Sequence, residues 1–188
     1  MKVICSSEES LYRPEAVRWR NRMEIMKPLG DVVVLLPCSM KKPYSNSKSH
    51  QKFRKASRSY QELIVTSPFG ICPRELENTF PIQSYDVSTT GFWSQDEIDT
   101  TGKLIEKYTE GKTVIANLSG GYLESCSQYV DDFINVCENG KPTSPDSRSE
   151  EHTSELQSQI QLVGRLLLEK KNLASYLTGG DCVPDDQN

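Results

Sequence analysis

The sequence has few of the residues that build metal sites and disulfide frameworks. Its 188 residues include only two histidines, and its six cysteines are scattered without a Cys-x-x-Cys pair. Structural zinc sites need clustered Cys and His ligands, so we expect neither a bound metal nor a resident cofactor. A disulfide framework is equally unsupported without an export signal, and we expect most thiols to be buried as small apolar residues.

Long hydrophobic segments are also missing. The longest apolar run, around VVVLL at 32–36, is far shorter than the roughly 20 residues of a membrane-spanning helix. The first ten residues, MKVICSSEES, are polar and charged almost from the start, unlike a signal peptide. We therefore expect a cytoplasmic protein that has no membrane partner.

Nucleotide-binding signatures are absent as well. Neither a Gly-x-Gly-x-x-Gly nor a Walker sequence occurs, and the Ser-Gly-Gly at 119–121 is too short for a dinucleotide fingerprint. These absences argue against a nucleotide-driven enzyme.

What the sequence does contain is a strong asymmetry of charge. Residues 13–58 hold twelve Lys and Arg against three acids, whereas residues 59–147 hold five against fourteen. A basic block in an acidic protein is typical of nucleic-acid binding, because phosphate contacts dominate that affinity. The alternative is a solvated helix face that happens to be basic. The side chains that we assign to phosphate contacts are Arg18, Arg22, Lys48, Lys52, Arg54 and Lys55.

Buried strands alternate with helices along residues 1–147. The expected helices are 14–27, 48–57, 95–108 and 122–130, and the expected strands are 32–36, 62–66, 113–117 and 133–136, with 85–93 as a further strand or strand-like loop. The strands are almost continuously apolar, which indicates a parallel sheet covered on both faces. The sequence therefore predicts an α/β fold.

Three polar loops follow three of these strands, at 37–44, 67–77 and 118–122. Because ligands of such folds bind where loops leave the carboxyl ends of the strands, we expect the three loops to form one rim that carries the site.

The first rim loop continues into the densest group of reactive side chains, PCSMKKPYSNSKSH at 37–50. Cys38 could be a nucleophile whose thiolate is favoured by Lys42 or a helix N-terminus, or it could be a structural thiol. His50 could act as a general acid or base, or it could bind a phosphate or cap the helix.

Two further groups have both a functional and a plainer interpretation. Ser45, Ser47 and Ser49 could cradle an anion at a helix start, or they could simply form a turn. Glu75 could hold an amine or read the edge of a guanine-like base, although a lone surface glutamate is the commoner explanation. Because Glu75 and Glu77 would point to different faces of a helix, at most one of them would face the rim.

Taken together, the segments 37–53, 65–77, 85–93 and 140–144 resemble the archaeosine synthase family. Every fixed position of the family's loop pattern, Pro-Cys-Ser-x-x-Lys-Pro-Tyr-x-x-Ser-x-Ser-His, is filled at 37–50. The similarity runs from about Leu11 to Ser147. It implies a three-layer α/β/α sandwich with a short, mostly parallel sheet, similar to uracil-DNA glycosylases.

The resemblance also implies an activity on archaeal tRNA. The substrate would carry 7-cyano-7-deazaguanine in the D-loop, and an amine, lysine in better-understood members, would attack the nitrile carbon to give an amidine-type adduct. A partner radical enzyme or further processing would then yield archaeosine.

These implications assign roles to the candidate residues. His50 or Tyr44 would donate a proton to the nitrile nitrogen, and Glu75 would help hold the amine. Lys42 would stabilise developing charge or grip a phosphate, while Cys38 would either add first to give a thioimidate or only line the pocket. The substrate-binding candidates are Ser39, Ser47, Ser49, Ser67, Pro68, Gly70, Asp86 and Gly120.

Two rival functions stay open. A base-excising or base-exchanging glycosylase of the same fold would use Asp86 or Asn117 to activate water. A non-catalytic tRNA-binding module would need only the basic block. Family members also carry a transglycosylase-like region and an RNA-binding PUA domain, neither of which is found in this chain, so a separate subunit could supply them.

One stretch looks foreign to the rest of the chain. RSEEHTSELQS at 148–158 resembles the translation of a sequencing-adapter oligonucleotide. We therefore predict a catalytic domain at 1–147, an artefact at 148–158 and a tail of uncertain origin at 159–188. His152 lies in the stretch that looks foreign, so we exclude it as a site candidate and retain His50.

Overall fold

A computed structural model describes residues 3–5, 8–87, 92–137, 158–164 and 166. The strands are β1 (Val3–Cys5), β2 (Val32–Pro37), β3 (Gln61–Thr66), β4 (Gly70–Pro73), β5 (Tyr85–Val87), β6 (Thr113–Ala116) and β7 (Phe133–Asn135). The helices are α1 (Pro14–Ile25), α2 (Lys48–Ala56), α3 (Gln95–Thr109), α4 (Gly120–Ser127) and α5 (158–164). The predicted α/β class is confirmed.

Among the described residues, the main sheet has five strands in the order β4-β3-β2-β6-β7. β2 pairs in parallel with β3 and β6, and β6 pairs in parallel with β7, whereas β4 runs antiparallel to β3. Leu35 in the central strand lies opposite Leu63 on one side and Ala116 on the other. β1 and β5 form a separate parallel pair. The sheet is therefore mostly parallel, while the likeness to uracil-DNA glycosylases stays a prediction.

Helices cover both faces of the sheet, as the continuous apolar strands predicted. Val33 and Leu35 pack with α1, α3 and α4 in the larger core cluster. Val34 and Leu36 pack with α2 and α5 in a second cluster on the opposite face. Alternate residues of a strand point to opposite faces, so α1 and α2 lie on opposite sides of the sheet.

The helix starts follow local capping chemistry. The Ser94 side chain accepts a hydrogen bond from the Glu97 backbone N–H, and the Glu97 carboxylate accepts one from the Ser94 backbone N–H, which together form the capping box of α3. Ser47 caps α2 by accepting from the backbone N–H of His50 at 3.2 Å. Pro14 occupies the first turn of α1, where its missing N–H costs nothing.

Several local predictions were wrong. The loop 67–77 contains a strand, β4, which reverses the chain. Helix α4 begins at Gly120 rather than at Tyr122. Apart from these predictions, α1 exposes Val17 and turns Arg20 inward, where Arg20 donates hydrogen bonds to the carbonyls of Pro68 and Leu11 at 2.6 Å each.

Helix α5 packs against the α2 face. Ile160 is fully buried in the cluster with Val34 and Phe53, and a Cβ at Gly164 would lie 2.7 Å from the Tyr60 hydroxyl. Residues 148–157 lie outside the described residues, so the foreign origin of that stretch stays a prediction. Within the described part of the chain, no helix is long and apolar enough to cross a membrane.

Candidate active site

The carboxyl edge of the parallel strands joins the first and third rim loops. Cys38 follows β2, and its backbone N–H donates to the carbonyl of Val65 in β3 at 3.1 Å. Its sulfur lies 3.1 Å from the hydroxyl of Tyr122, which follows β6. The predicted convergence of loops at one edge is therefore present for these residues.

Tyr122 is the partner of Cys38, and the sequence reasoning missed it. Its ring packs against Trp93 with centroids 4.6 Å apart, and a Cβ at Gly121 would come within 2.6 Å of Trp93. Burial, reinforced by the neighbouring Cys38, raises the pKa of Tyr122 far above its ordinary value. The phenol therefore stays protonated and can donate a hydrogen bond. Its position just after the Ser-Gly-Gly turn of a rim loop was the available signal.

Lys42 places a cation over two tyrosine rings beside Cys38. Its Nζ lies 4.3 Å from the ring centroid of Tyr85 and 5.1 Å from that of Tyr44, and it donates to the Ser39 carbonyl. Burial lowers the pKa of Lys42, while the neighbouring Cys38 and Asp86 act in the opposite direction. Cation–π contacts of this kind hold an ammonium group with little water around it.

The hydroxyl of Tyr44 lies inside the protein. It is 2.7 Å from the hydroxyl of Tyr85, which in turn hydrogen-bonds Thr66. Both rings are buried, and burial raises the pKa of each phenol well above its ordinary value. The Tyr44 ring therefore packs beneath Lys42, with its hydroxyl directed into the protein. This position does not support the proton-donor role that we expected for Tyr44.

His50 is also buried, and its ring accepts a hydrogen bond from Arg74. Arg74 Nη2 lies 2.7 Å from His50 Nδ1, and because a guanidinium can only donate, Nδ1 accepts. Burial, with the positive charge of Arg74, lowers the pKa of His50 to about 3. The ring is neutral and fully buried, so the proton-donor role predicted for His50 is not supported.

Glu75 does not reach the rim, and its predicted placement was wrong. Because β4 runs antiparallel to β3, the chain returns to the amino edge of the sheet before Glu75. There Glu75 is exposed, accepts a hydrogen bond from Gln61 Nε2 at 2.9 Å, and lines a groove of about 480 Å³. Its neighbour Glu77 is buried and accepts from the backbone N–H of Ser45 at 2.9 Å.

Among the substrate-binding candidates, the serines of 37–50 make local contacts. Ser39 donates to the carbonyl of Lys41 at 3.1 Å. Ser47 and Ser49 have their hydroxyls 3.2 Å apart at the start of α2. These groups stabilise the loop and the helix cap, so the anion cradle remains a prediction.

The other substrate-binding candidates divide between the rim and the scaffold. At the rim, the charge of Asp86 partly offsets the lowering of the Lys42 pKa. Gly120 is exposed, with a φ of +55°, at the start of α4. Pro68 accepts from Arg20, and Gly70 has a φ of +79° with Leu104 only 2.5 Å from where a Cβ would stand. Gly70 therefore has a structural reason for being glycine.

Ser67 contacts the carboxylate of Glu97, a rim residue that the sequence did not predict as part of the site. Its hydroxyl donates to Glu97 Oε1, and the Ser94 backbone N–H donates to Glu97 Oε2 at 2.8 Å. Glu97 is half-buried, and its charge helps to raise the pKa of Tyr122 after burial and Cys38. It is therefore a carboxylate of the rim.

The basic block of the sequence does not form one surface. Arg18 and Arg22 are exposed on α1, while the remaining basic candidates lie on α2 across the sheet. Helix α2 contains no acid, whereas α1 contains Glu15 and Glu24. The six residues assigned to phosphate contacts therefore belong to two separate surfaces.

The fold and the rim define an α/β domain with a thiol, a protonated phenol and a partly desolvated ammonium group at the carboxyl edge of its sheet. Residues 16–155 match a family described as "Domain of unknown function (DUF5591)". The chain belongs to that family.

Curated proteins with similar sequences are archaeosine synthases from archaea, which confirms the family resemblance. The archaeosine synthase subunit alpha of Methanosarcina acetivorans is 40% identical over 139 residues, covering 69% of this chain and 22% of that protein. The corresponding protein of Thermoplasma acidophilum is 46% identical over 106 residues, covering 53% and 21%. The archaeosine synthase of Methanocaldococcus jannaschii is 38% identical over 157 residues, covering 78% and 26%. The chain thus spans about a quarter of the length of these relatives.

One solved structure is similar in fold. The crystal structure of AF0587, a protein of unknown function, matches with a TM-score of 0.55 and 26% identity, covering 76% of this chain and 48% of that one.

Proposed function

We propose that this chain is a tRNA-modifying catalytic domain of archaeosine biosynthesis, which adds an amine to the nitrile of 7-cyano-7-deazaguanine in tRNA. The similarity to archaeosine synthases supports the pathway. The observation that carries the chemistry is the 3.1 Å contact between Cys38 and Tyr122 at the rim, beside the Lys42 ammonium group.

A nitrile is a weak electrophile, so its nitrogen must receive a hydrogen bond or proton as the carbon is attacked. Tyr122 is suited to hydrogen-bond donation because its hydroxyl is protonated at neutral pH and lies at the rim, 3.1 Å from the Cys38 sulfur, while its raised pKa makes full proton transfer unfavourable. Lys42 supplies a nearby positive charge that stabilises the charge developing on the nitrogen. Tyr122 thus takes over the donor role first assigned to His50 and Tyr44, while Lys42 keeps the role first assigned to it.

Direct addition balances without a leaving group. The amine nitrogen forms a bond to the nitrile carbon, one C–N π bond breaks, and a proton passes from the amine to the nitrile nitrogen, which gives an amidine. In the alternative order the Cys38 sulfur adds first to give a thioimidate, and the amine then displaces the thiol. We favour direct addition with Cys38 lining the pocket, and Cys38→Ala separates the two routes.

Free lysine is the proposed amine donor; one of its amino groups attacks as the neutral amine, and a carboxylate at the rim would hold the other as an ammonium group. Glu97 fills this role instead of Glu75, because Glu97 lies beside Ser67 and Tyr122 whereas Glu75 lies at the opposite edge of the sheet.

The tRNA would present its base turned out of the stack, as enzymes acting on bases require. Helix α2 starts at the rim and exposes Lys48, Arg54 and Lys55 on a face without acids. This face is our proposed phosphate contact, with Lys52 half-buried beside it. A separate transglycosylase or PUA subunit and a radical-chemistry enzyme are proposed as further partners.

The test incubates the full chain with tRNA that carries 7-cyano-7-deazaguanine and with free lysine, followed by nucleoside mass spectrometry. A mass gain of one lysine is expected. An unchanged base with retained tRNA would favour the binding module, and release of the base would favour the glycosylase. Cys38→Ala should still form the adduct if addition is direct.

A further inference from the structure

The carboxyl end of β4 places one arginine at the centre of a buried polar cluster. Arg74 donates from Nε to Glu62, from Nη1 to Glu77 at 3.0 Å, and from Nη2 to His50. The side chains of Arg74, Glu62 and Glu77 are only 14%, 6% and 7% exposed. Each of the three guanidinium nitrogens therefore has its own acceptor in the protein interior.

Burying these charges costs desolvation free energy, so stabilising the fold alone is a poor explanation of the cluster. Two carboxylates face one guanidinium, and the second negative charge is met by the hydroxyl of Ser57 at Glu62 and the backbone N–H of Ser45 at Glu77. Buried ion pairs often contribute little net stability, because desolvation offsets the attraction. Fixing the position of the groups it contacts is the use that fits this geometry.

Two of those contact residues, Glu77 and His50, in turn hold the end of the first rim loop. Glu77 holds the backbone of Ser45, and His50 stacks on the Tyr44 ring with centroids 5.3 Å apart and planes at 29°. The His50 Nε2 atom, on the side of the ring away from Arg74, is buried and has no hydrogen-bond partner within the described residues. Arg74 thus reaches Tyr44 from two sides, through the His50 ring that stacks on it and through Glu77 at the next residue.

We propose that Arg74 is a positioning residue, which acts through His50 and Glu77 to hold Tyr44 and, above it, the Lys42 ammonium group beside Cys38. Lys42 lies over the Tyr44 and Tyr85 rings, so a displaced Tyr44 would move the cation away from the reacting nitrile. This inference rests on the proposed function only for the identity of the reaction, because the placement of Lys42 and Cys38 can be measured without tRNA.

The test compares the full chain with Arg74→Gln and with Ile115→Val, a core truncation under α2 that touches none of these polar groups. We expect kcat for adduct formation to fall by about tenfold or more in Arg74→Gln, because a displacement of about 1 Å can cost that much. The Kd for tRNA should stay within about twofold, and Ile115→Val should keep its kcat within about twofold. If Arg74→Gln does not fold, Arg74→Lys replaces it, because a lysine keeps the charge but cannot donate to three separate acceptors.

Two readouts do not depend on the reaction. In Arg74→Gln the pKa of His50, followed by NMR in a His152→Gln background, should rise from about 3 towards its ordinary value of 6.5. The alkylation rate of Cys38 by iodoacetamide, measured by peptide mass mapping, should change at least about threefold. A wild-type protein that adds no amine, combined with these changes, would refute the proposed function and leave the positioning intact. An unchanged alkylation rate and kcat in a folded variant would overturn the proposal.

Discussion

The sulfur of Cys38 lies 3.1 Å from the hydroxyl of Tyr122, and the two groups belong to loops that are 84 residues apart in the chain. The contact exists because both loops leave the carboxyl edges of parallel strands, β2 and β6, that are neighbours in the sheet. A thiol and a protonated phenol are therefore presented together to whatever enters the rim.

Tyr122→Phe tests the donor role of this phenol. Removing the hydroxyl should lower kcat for amine addition by about a hundredfold, which is typical of losing one general acid or one preorganised donor. Stability should fall by only about 1 kcal/mol, because a single partly buried hydrogen bond is lost. Tyr12→Phe, which removes an exposed hydroxyl bonded to Asp96 at 3.3 Å, is the matched control and should keep full activity. Equal activity in the two variants would refute the role.

The buried neutral ring of His50 predicts an acid-sensitive fold. Its pKa is about 3 in the folded protein and 6.5 in the unfolded chain, so between these values the unfolded chain binds more protons. Stability from this residue is therefore fully present above pH 6.5 and is lost as the pH falls towards 3, by at most about 5 kcal/mol.

His50→Gln should remove that part of the pH dependence, because a glutamine oxygen can accept from Arg74 but does not titrate. Urea unfolding of both proteins between pH 3.5 and pH 7.5 measures the difference, since carboxylates titrate alike in the two. Parallel stability curves over this range would show that His50 is not held neutral.

Much of the scaffold follows from simple patterns, and the failures have local causes. The apolar runs VVVLL at 32–36, LIV at 63–65 and VIA at 114–116 predict buried parallel strands, and parallel strands place their following loops at one edge. Glu75 was misplaced because the four residues GICP form a short antiparallel strand after the turn at Gly70 (φ +79°). A strand of that length, ending in proline, resembles a loop in the sequence.

The side-chain partners at the rim were harder to predict than the strands. The pattern Ser94-x-x-Glu97 indicates only a helix cap, which uses Glu97 Oε2. The fold brings Ser67 to Glu97 Oε1, and no local pattern predicts that contact. The long side chain of Arg20 on α1 likewise reaches the backbone carbonyls of Leu11 and Pro68, which are far apart from each other in the chain. Such contacts depend on packing between elements and leave no local pattern.

The two basic surfaces can be separated by charge reversal. Lys48→Glu with Lys55→Glu on α2 should weaken tRNA binding about tenfold or more and should flatten its salt dependence, because phosphate contacts release counterions. Arg18→Glu with Arg22→Glu on α1 makes the same change in net charge across the sheet and should have a much smaller effect. Fluorescence anisotropy at several salt concentrations measures both. A larger effect of the α1 pair would reassign the phosphate contact to that face.

The docking of α5 can be tested with two residues of the same helix. Ile160→Asp places a charge in the cluster with Val34 and Phe53 and should lower the free energy of unfolding by about 1–3 kcal/mol, the loss being limited by undocking of the helix. Leu162→Asp, at a position that is 59% exposed, should have little effect. Thermal unfolding that gives the same Tm for both variants would mean that this helix does not stabilise the domain, as expected of a tail unrelated to residues 1–147.

Glu97→Gln and Glu75→Gln decide which carboxylate holds the incoming amine. Glutamine at position 97 preserves the capping box, because either Glu or Gln can accept from the helix N-terminus, so the fold should be maintained. The loss of the negative charge should raise KM for free lysine about tenfold, since charge-assisted hydrogen bonds to an ammonium group are stronger than neutral ones, while kcat at saturating lysine changes less. Glu75→Gln removes the same charge at the opposite edge of the sheet and should leave KM unchanged. An increase in KM confined to Glu75→Gln would show that the amine enters from the amino edge and would refute the rim site as the place of addition.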